Sequence, residues 1–233
     1  YRNETHDGGI LTRICSSHIR FGTFEFASRF CSNEDLKIFI KYVIDRHYPQ
    51  ISDADNPTLE LLKLVMIKQI DLIINWMRVG FIHGVMNTDN MSIVGETIDY
   101  GPCAFMNVYD PDTVFSSIDV NGRYSFGNQP MIAHWNLVVL ANTLLPIISN
   151  KKEKSIEMVT GVLNQFSILY SNKWYKMMLK KLGIMNPSEK DKELVDSLLD
   201  LMNDEKADYT NTFAALALNT ESDDYLFKTN KFK

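Results

Sequence analysis

Cysteine is scarce in this 233-residue chain, and Cys15, Cys31 and Cys103 are an odd count. Their spacing suits neither a zinc site nor a disulfide framework, which points to a reducing compartment. The five histidines are scattered, so no metal centre built from soft ligands is expected. Clustered positive charge is also missing. Against 29 Asp and Glu stand 24 Lys and Arg, giving a net charge of -5 and a pI near 5.6. That balance argues against nucleic acid or an anionic membrane as the main partner. The densest basic run, Lys151, Lys152 and Lys154, reads as a solvated helix start. The longest apolar region, Leu59 to Val79, is interrupted by Glu60, Lys63, Lys68, Asp71 and Arg78 and reads as a core helix, not a membrane span. Repeats and long linkers are absent. The 45% apolar and 23% charged composition suffices for one ordinary globular core or two small ones.

The present residues sort into elements by their punctuation. Gly8-Gly9 precedes Ile10–Cys15, which reads as a short strand or extended run. Ser32 and Asp35 form a capping pair for a helix whose buried stripe is Leu36, Phe39, Ile40, Val43, Ile44 and His47. Asn56 caps the next helix, Pro57 takes its first position and Gly80 stops it. Further helices are expected over Met131 to Ile148, with Pro146 bending its end, then Ile156 to Leu169, Trp174 to Leu182 and Glu189 to Met202. Trp76, Trp135 and Trp174 fall in apolar helical patterns and are expected in the core. The chain reads as mainly α, an α+β protein with one small functional hairpin.

The most informative segment is His83-Gly84-Val85-Met86-Asn87-Thr88-Asp89-Asn90, followed by Asp99-Tyr100-Gly101. It gathers carboxylates and amides of the kind phosphate chemistry places around a hard cation. Met91–Val94 and Thr97–Tyr100 around Gly95-Glu96 read as a two-residue β-hairpin. In that register Ser92 faces Asp99, and Asn90 and Asp99 become diagonal neighbours about 7 Å apart. Asp89 and Asn90 also suit an ordinary turn through their own backbone bonds. The His83-to-Asn90 spacing equals that of the protein-kinase catalytic loop, with Asp99-Tyr100-Gly101 in place of the second kinase motif, but Val85 stands where a kinase has its base. Asp89 is the candidate base left in this loop. His83 reads as an anchor for the loop through backbone bonds.

His-Gly-Val-Met-Asn-Thr-Asp-Asn-Met followed by Asp-Tyr-Gly-Pro resembles the selenoprotein O (YdiU) family. So do Leu11-Thr12-Arg13 and Ser16 to Phe24 upstream, and Gly122-Arg123-Tyr124, Gly127-Asn128-Gln129-Pro130 and Trp135-Asn136-Leu137 downstream. The likeness covers about residues 8 to 145, with Asp208-Tyr209-Thr210 similar to a later family segment. The resemblance implies a protein-kinase-like C-terminal lobe, residues 1–150, carrying the catalytic and metal motifs on a small β-hairpin, with 151–233 as a helical extension of that lobe. It implies a protein adenylyltransferase that moves AMP from ATP to Ser, Thr or Tyr hydroxyls of client proteins, with magnesium or manganese. By position it makes Asp89 the proton acceptor, Asn90 and Asp99 the metal ligands, and Arg13, Arg20 and Asp99 the nucleotide contacts.

Several departures from the family pattern go with this. Val114–Asp119 lacks the Cys-Asn-His-Ser-Asp run of many relatives, and no cysteine follows Cys103. The glycine-containing nucleotide loop and lysine of the family's N-terminal lobe are absent from the chain. It opens at Tyr1 without methionine, so an upstream part is expected and the isolated chain is expected to be inactive. Ordinary phosphoryl transfer and a non-catalytic nucleotide-binding scaffold stay open as rivals. Arg13 and Arg20, by residue type alone, suit surface ion pairs equally. Arg123 suits either a nucleotide or substrate contact or a partner for an acid in its own loop. A cytoplasmic location is expected in a bacterium, a mitochondrial one in a eukaryote.

Overall fold

The computed structural model describes residues 8–188, 190–218 and 225–229. Capping decides where its early helices begin. Ser32 Oγ accepts from the Asp35 N–H and the Asp35 carboxylate accepts from the Ser32 N–H, closing the box that starts α2 (Asn33–His47). Leu36, Ile40, Val43 and Ile44 are its buried face. Asn56 Oδ1 accepts from the Leu59 N–H at 3.1 Å to start α3 (Pro57–Arg78), and the Gly80 N–H closes its far end on Met77 O. Ahead of them lies α1 (Phe21–Phe30), a helix not among those expected from the sequence. Its Phe21, Phe24 and Ala27 face inward, with Phe24 against Phe39 of α2 at 4.8 Å. Residues 10–15 carry no strand.

The hairpin expected around Gly95-Glu96 does not form. The named strands among the described residues are β1 (Phe81–Ile82) and β2 (Ala104–Phe105), a two-residue antiparallel pair. The segment 91–96 lies antiparallel to 16–21 instead: Phe21 N–H to Met91 O at 3.0 Å, Ile93 N–H to Ile19 O at 2.9 Å, an isolated bridge between Arg20 and Ser92, and Ser16 N–H to Glu96 at 2.8 Å. Packing against α3 accounts for the difference. Gly95, at φ +71°, lies so close to the Lys68 backbone that a Cβ would meet Lys68 O at 3.0 Å. Trp76 Nε1 then donates to Thr97 Oγ1 at 2.8 Å, so the chain runs on along α3 and does not fold back on residues 91–94. Met91, Ser92 and Ile93 are all buried, without the alternation of a two-faced hairpin.

The second half is helical: α4 (Gln129–Ile148), α5 (Lys152–Leu163), α6 (Phe166–Lys181), α7 (Asp191–Asp204) and α8 (Tyr209–Leu218). The expected helices Ile156–Leu169 and Trp174–Leu182 are corrected to α5 and α6, with the break at Asn164-Gln165. Tyr170 stacks between Phe166 and Trp174, which carries α6 through the polar Ser171–Lys173 stretch. The expected start at Glu189 lies outside the described residues, and α7 begins at Asp191. Lys181 Nζ donates to Arg78 O at 2.7 Å and lies 3.6 Å from the Phe213 ring, tying α6 to the end of α3 and to α8.

Core side chains extend from Phe21 on α1 to Phe213 on α8, with α3 at the centre beside α4, α5 and α6. Phe126–Ile148, mean hydropathy 1.6, is long and apolar enough to cross a membrane, yet half of that stretch is buried here and α4 packs on α1, α3 and α5. Its buried Gln129 and Asn136 amides bond to backbone, as in the core helix of a globular protein. Trp76 is buried and Trp174 half-buried, but Trp135 is 47% exposed, contrary to the core expectation, because it faces outward beneath the Arg123 guanidinium at 4.7 Å.

Candidate active site

The loop between β1 and Asn90 is held by three buried side chains. His83 is fully buried: its Nε2 donates to Ile98 O at 2.7 Å and its Nδ1 accepts from the Val85 N–H at 3.4 Å, which requires the neutral ring with the proton on Nε2. Gln129, at the start of α4, accepts from the His83 N–H and donates to Phe81 O, both at 3.1 Å. Asn136, two turns on, donates to Met86 O at 2.8 Å. The anchoring role expected of His83 is present. Gln129 and Asn136 stood in the sequence reading only as motif residues without a role, since nothing in their spacing shows that α4 crosses this loop.

Burial pushes the His83 imidazole pKa below its ordinary value, against the opposing pulls of the Ile98 carbonyl and the Asp99 carboxylate. His47 shifts the same way, through burial and the neighbouring Arg46. Unfolded imidazoles take up a proton near pH ~6.5, whereas these do so only at lower pH when folded. Their contribution to stability is therefore complete above the unfolded pKa and is lost as pH falls through the folded one. The urea midpoint should fall between about pH 7.5 and about pH 5.5, and less so for His83→Gln. An equal fall in both proteins would contradict this.

Five sequence-predicted residues come together in one cleft of about 700 Å³: Arg13, Arg20, Asp89, Asn90 and Asp99, with His18, Thr97 and Tyr100 beside them. Asn90 and Asp99 thus line the same cleft, placed there by the His83–Ile98 bond and the run of 92–98 along α3, not by a hairpin register. Asn90 Nδ2 donates to Val85 O at 2.9 Å, which leaves Oδ1 as its remaining acceptor. Asp99 sits at φ +56°, a left-handed conformation that Asp tolerates better than most residues. Arg20, at the N-cap of α1, donates from Nη1 to Asp89 O at 3.3 Å. The Arg13 guanidinium lies 4.5 Å from the Tyr100 ring. Arg123 is not among the cleft residues.

The Asp89 carboxylate rests on the first turn of α1, where a Cβ added at Gly22 would meet Asp89 Oδ1 at 2.1 Å. A glycine is what lets the carboxylate occupy that position. Gly22 belongs to the Ser16 to Phe24 motif, but its role depends on α1, which the sequence pattern does not announce.

The family description "Protein adenylyltransferase SelO" matches residues 1–231. The chain belongs to the SelO family. It is 53% identical over 232 residues to the protein nucleotidyltransferase YdiU of Brevibacillus brevis, covering 100% of this chain and 47% of that protein. The same named protein of Clostridium beijerinckii is 53% identical over 231 residues, covering 99% and 47%, and that of Bacillus cereus strain ATCC 10987 is 51% identical over 233 residues, covering 100% and 48%. The chain spans about half the length of the curated SelO-family relatives it matches.

Proposed function

We propose that this chain is the large lobe of a protein-kinase-like SelO enzyme that transfers AMP from ATP to Ser, Thr or Tyr hydroxyls of client proteins. The observation that carries the reading is that two arginines, two aspartates and one asparagine line a single cleft. In the reaction the acceptor oxygen forms a bond to the α-phosphorus of ATP, the bond from that phosphorus to the oxygen bridging to the β-phosphate breaks, and pyrophosphate leaves. Asp89, exposed and free of side-chain ion pairs among the described residues, takes the acceptor proton. Arg13 and Arg20 bring guanidinium forks to the phosphates, a geometry lysine would not match.

No group of three His, Cys, Asp or Glu side chains that could cage a metal occurs among the described residues. The donor set nevertheless suits magnesium or manganese, because such ions commonly use one or two protein oxygens and complete their shell with phosphate and water. Asn90 Oδ1, left free by the Val85 bond, and the Asp99 carboxylate are the residues that would hold the ion. Bound there it would neutralise phosphate charge. Acceptor-dependent release of pyrophosphate by the full-length protein, without ADP, is expected; ADP in its place would overturn the reading in favour of phosphoryl transfer.

A further inference from the structure

Asp89 borders a second cavity. Beyond the cleft, between α1 and α4, it helps to line a groove of about 630 Å³ whose other walls include Phe26, Arg29 and Phe30 of α1 and Val139 and Asn142 of α4. The two cavities differ in chemistry. On the cleft side Asp89 has Arg13 and Arg20 for company; on the groove side it has two phenylalanine rings, 61% and 67% exposed, tilted against each other with centroids 5.1 Å apart. Gly22, Phe26 and Phe30 recur every four residues, so the rings form a stripe leading outward along α1 from the place where the carboxylate rests. Packing does not require this stripe, since α1 buries its opposite face through Phe21, Phe24 and Ala27. Large exposed apolar rings beside a reactive group are a feature of binding surfaces. The groove's charged side chains are Arg29 against Glu25 and Asp89, so it does not attract a phosphate.

We propose that this groove holds the acceptor: a segment of a client protein whose hydroxyl residue reaches Asp89 and whose neighbouring apolar side chain lies on Phe26 and Phe30. The inference rests on the AMP-transfer reading above. In an in-line displacement the attacking and leaving oxygens lie on opposite sides of the phosphorus, so the acceptor approaches by a route that ATP does not fill. A proton acceptor shared by two cavities satisfies that requirement, with phosphates on its arginine side and the hydroxyl on its aromatic side. A groove of this volume accommodates a short peptide segment.

The test uses the full-length protein, an array of Ser, Thr and Tyr peptides with varied neighbours, and ATP labelled at the α-phosphate. Peptides with Leu, Ile or Phe beside the hydroxyl should be modified about tenfold better than those with Lys or Glu. Phe26→Ser/Phe30→Ser should lose about tenfold in kcat/KM, mostly through KM, and should flatten that preference while ATP affinity stays as it was. Asn142→Trp, which fills the groove from α4 and leaves both phenylalanines in the sequence, should do the same. Unchanged peptide preference in both variants would overturn the proposal, and weakened ATP binding in both would assign the groove to the nucleotide and overturn it too. Phe30→Cys should react with a maleimide in the full-length protein, as located by peptide mapping; protection before any peptide is added would mean that the rest of the chain covers the groove and would overturn the proposal. Transfer from the γ-phosphate that is still lost in the Phe variants would refute AMP transfer and support the groove.

Discussion

Asp89→Asn in the full-length protein is expected to lower AMP transfer by about 10²–10⁴-fold, the range associated with a positioned proton acceptor. The substitution keeps size and shape and removes the basic oxygen. It leaves the loop in place, because Arg20 holds the backbone carbonyl of Asp89 and not its carboxylate, and the side chain is exposed. ATP should therefore still bind. Gly22→Ala supplies an independent route to the same end. The added methyl would sit 2.1 Å from Asp89 Oδ1, so the carboxylate must swing away while the helix gains a better helix former. Displacing a reacting group by about 1 Å can lower rate by about 10²-fold. Gly22→Ala should accordingly lose transfer without losing thermal stability. Combined with Asp89→Asn it should add little, since both act on one group. Transfer by Asp89→Asn within tenfold of the parent would remove Asp89 from the chemistry.

Asp99→Asn should have an effect of at least the same order, for a different reason. Asn is at home at φ +56°, so the loop keeps its course while one negative charge leaves the cleft. If Asp99 holds the cation with Asn90, the loss includes several kcal/mol of phosphate charge stabilisation, roughly 10³-fold or more in kcat/KM. The magnesium concentration for half-maximal rate should rise, and excess metal should recover part of the activity. An unchanged magnesium dependence would show that Asp99 is not a ligand.

Much of the scaffold was legible where a local side-chain bond sets an element's end. Ser32 with Asp35, and Asn56 with Pro57, announced α2 and α3 because their caps are made within a few residues. α1 escaped notice because its sequence, Phe-Gly-Thr-Phe-Glu-Phe, begins with Arg20 as cap and places glycine in its first turn. The α5–α6 break was misplaced because Asn164-Gln165 carries neither glycine nor proline, while Tyr170 sustains a helix through residues that look like a loop.

The site was legible as a set of residues and illegible as a construction. Asp89, Asn90, Asp99, Arg13 and Arg20 do share a cleft. The hairpin that was to join Asn90 to Asp99 was a reading of Gly95-Glu96 as a free turn. Its geometry depends on Lys68 and Trp76, more than 20 residues earlier on α3, and on residues 16–21 as the antiparallel partner. Such long-range packing leaves no period in the sequence. The same holds for Gln129 and Asn136, whose amides reach the loop from α4.

The position of the transferred phosphorus tests the reaction type most directly. The full-length protein is incubated with magnesium and an acceptor protein, in parallel with ATP labelled at the α-phosphate and ATP labelled at the γ-phosphate. Covalent label on the acceptor from the α-labelled ATP alone, abolished by Asp89→Asn, is the predicted result; label arriving from the γ position alone would contradict it.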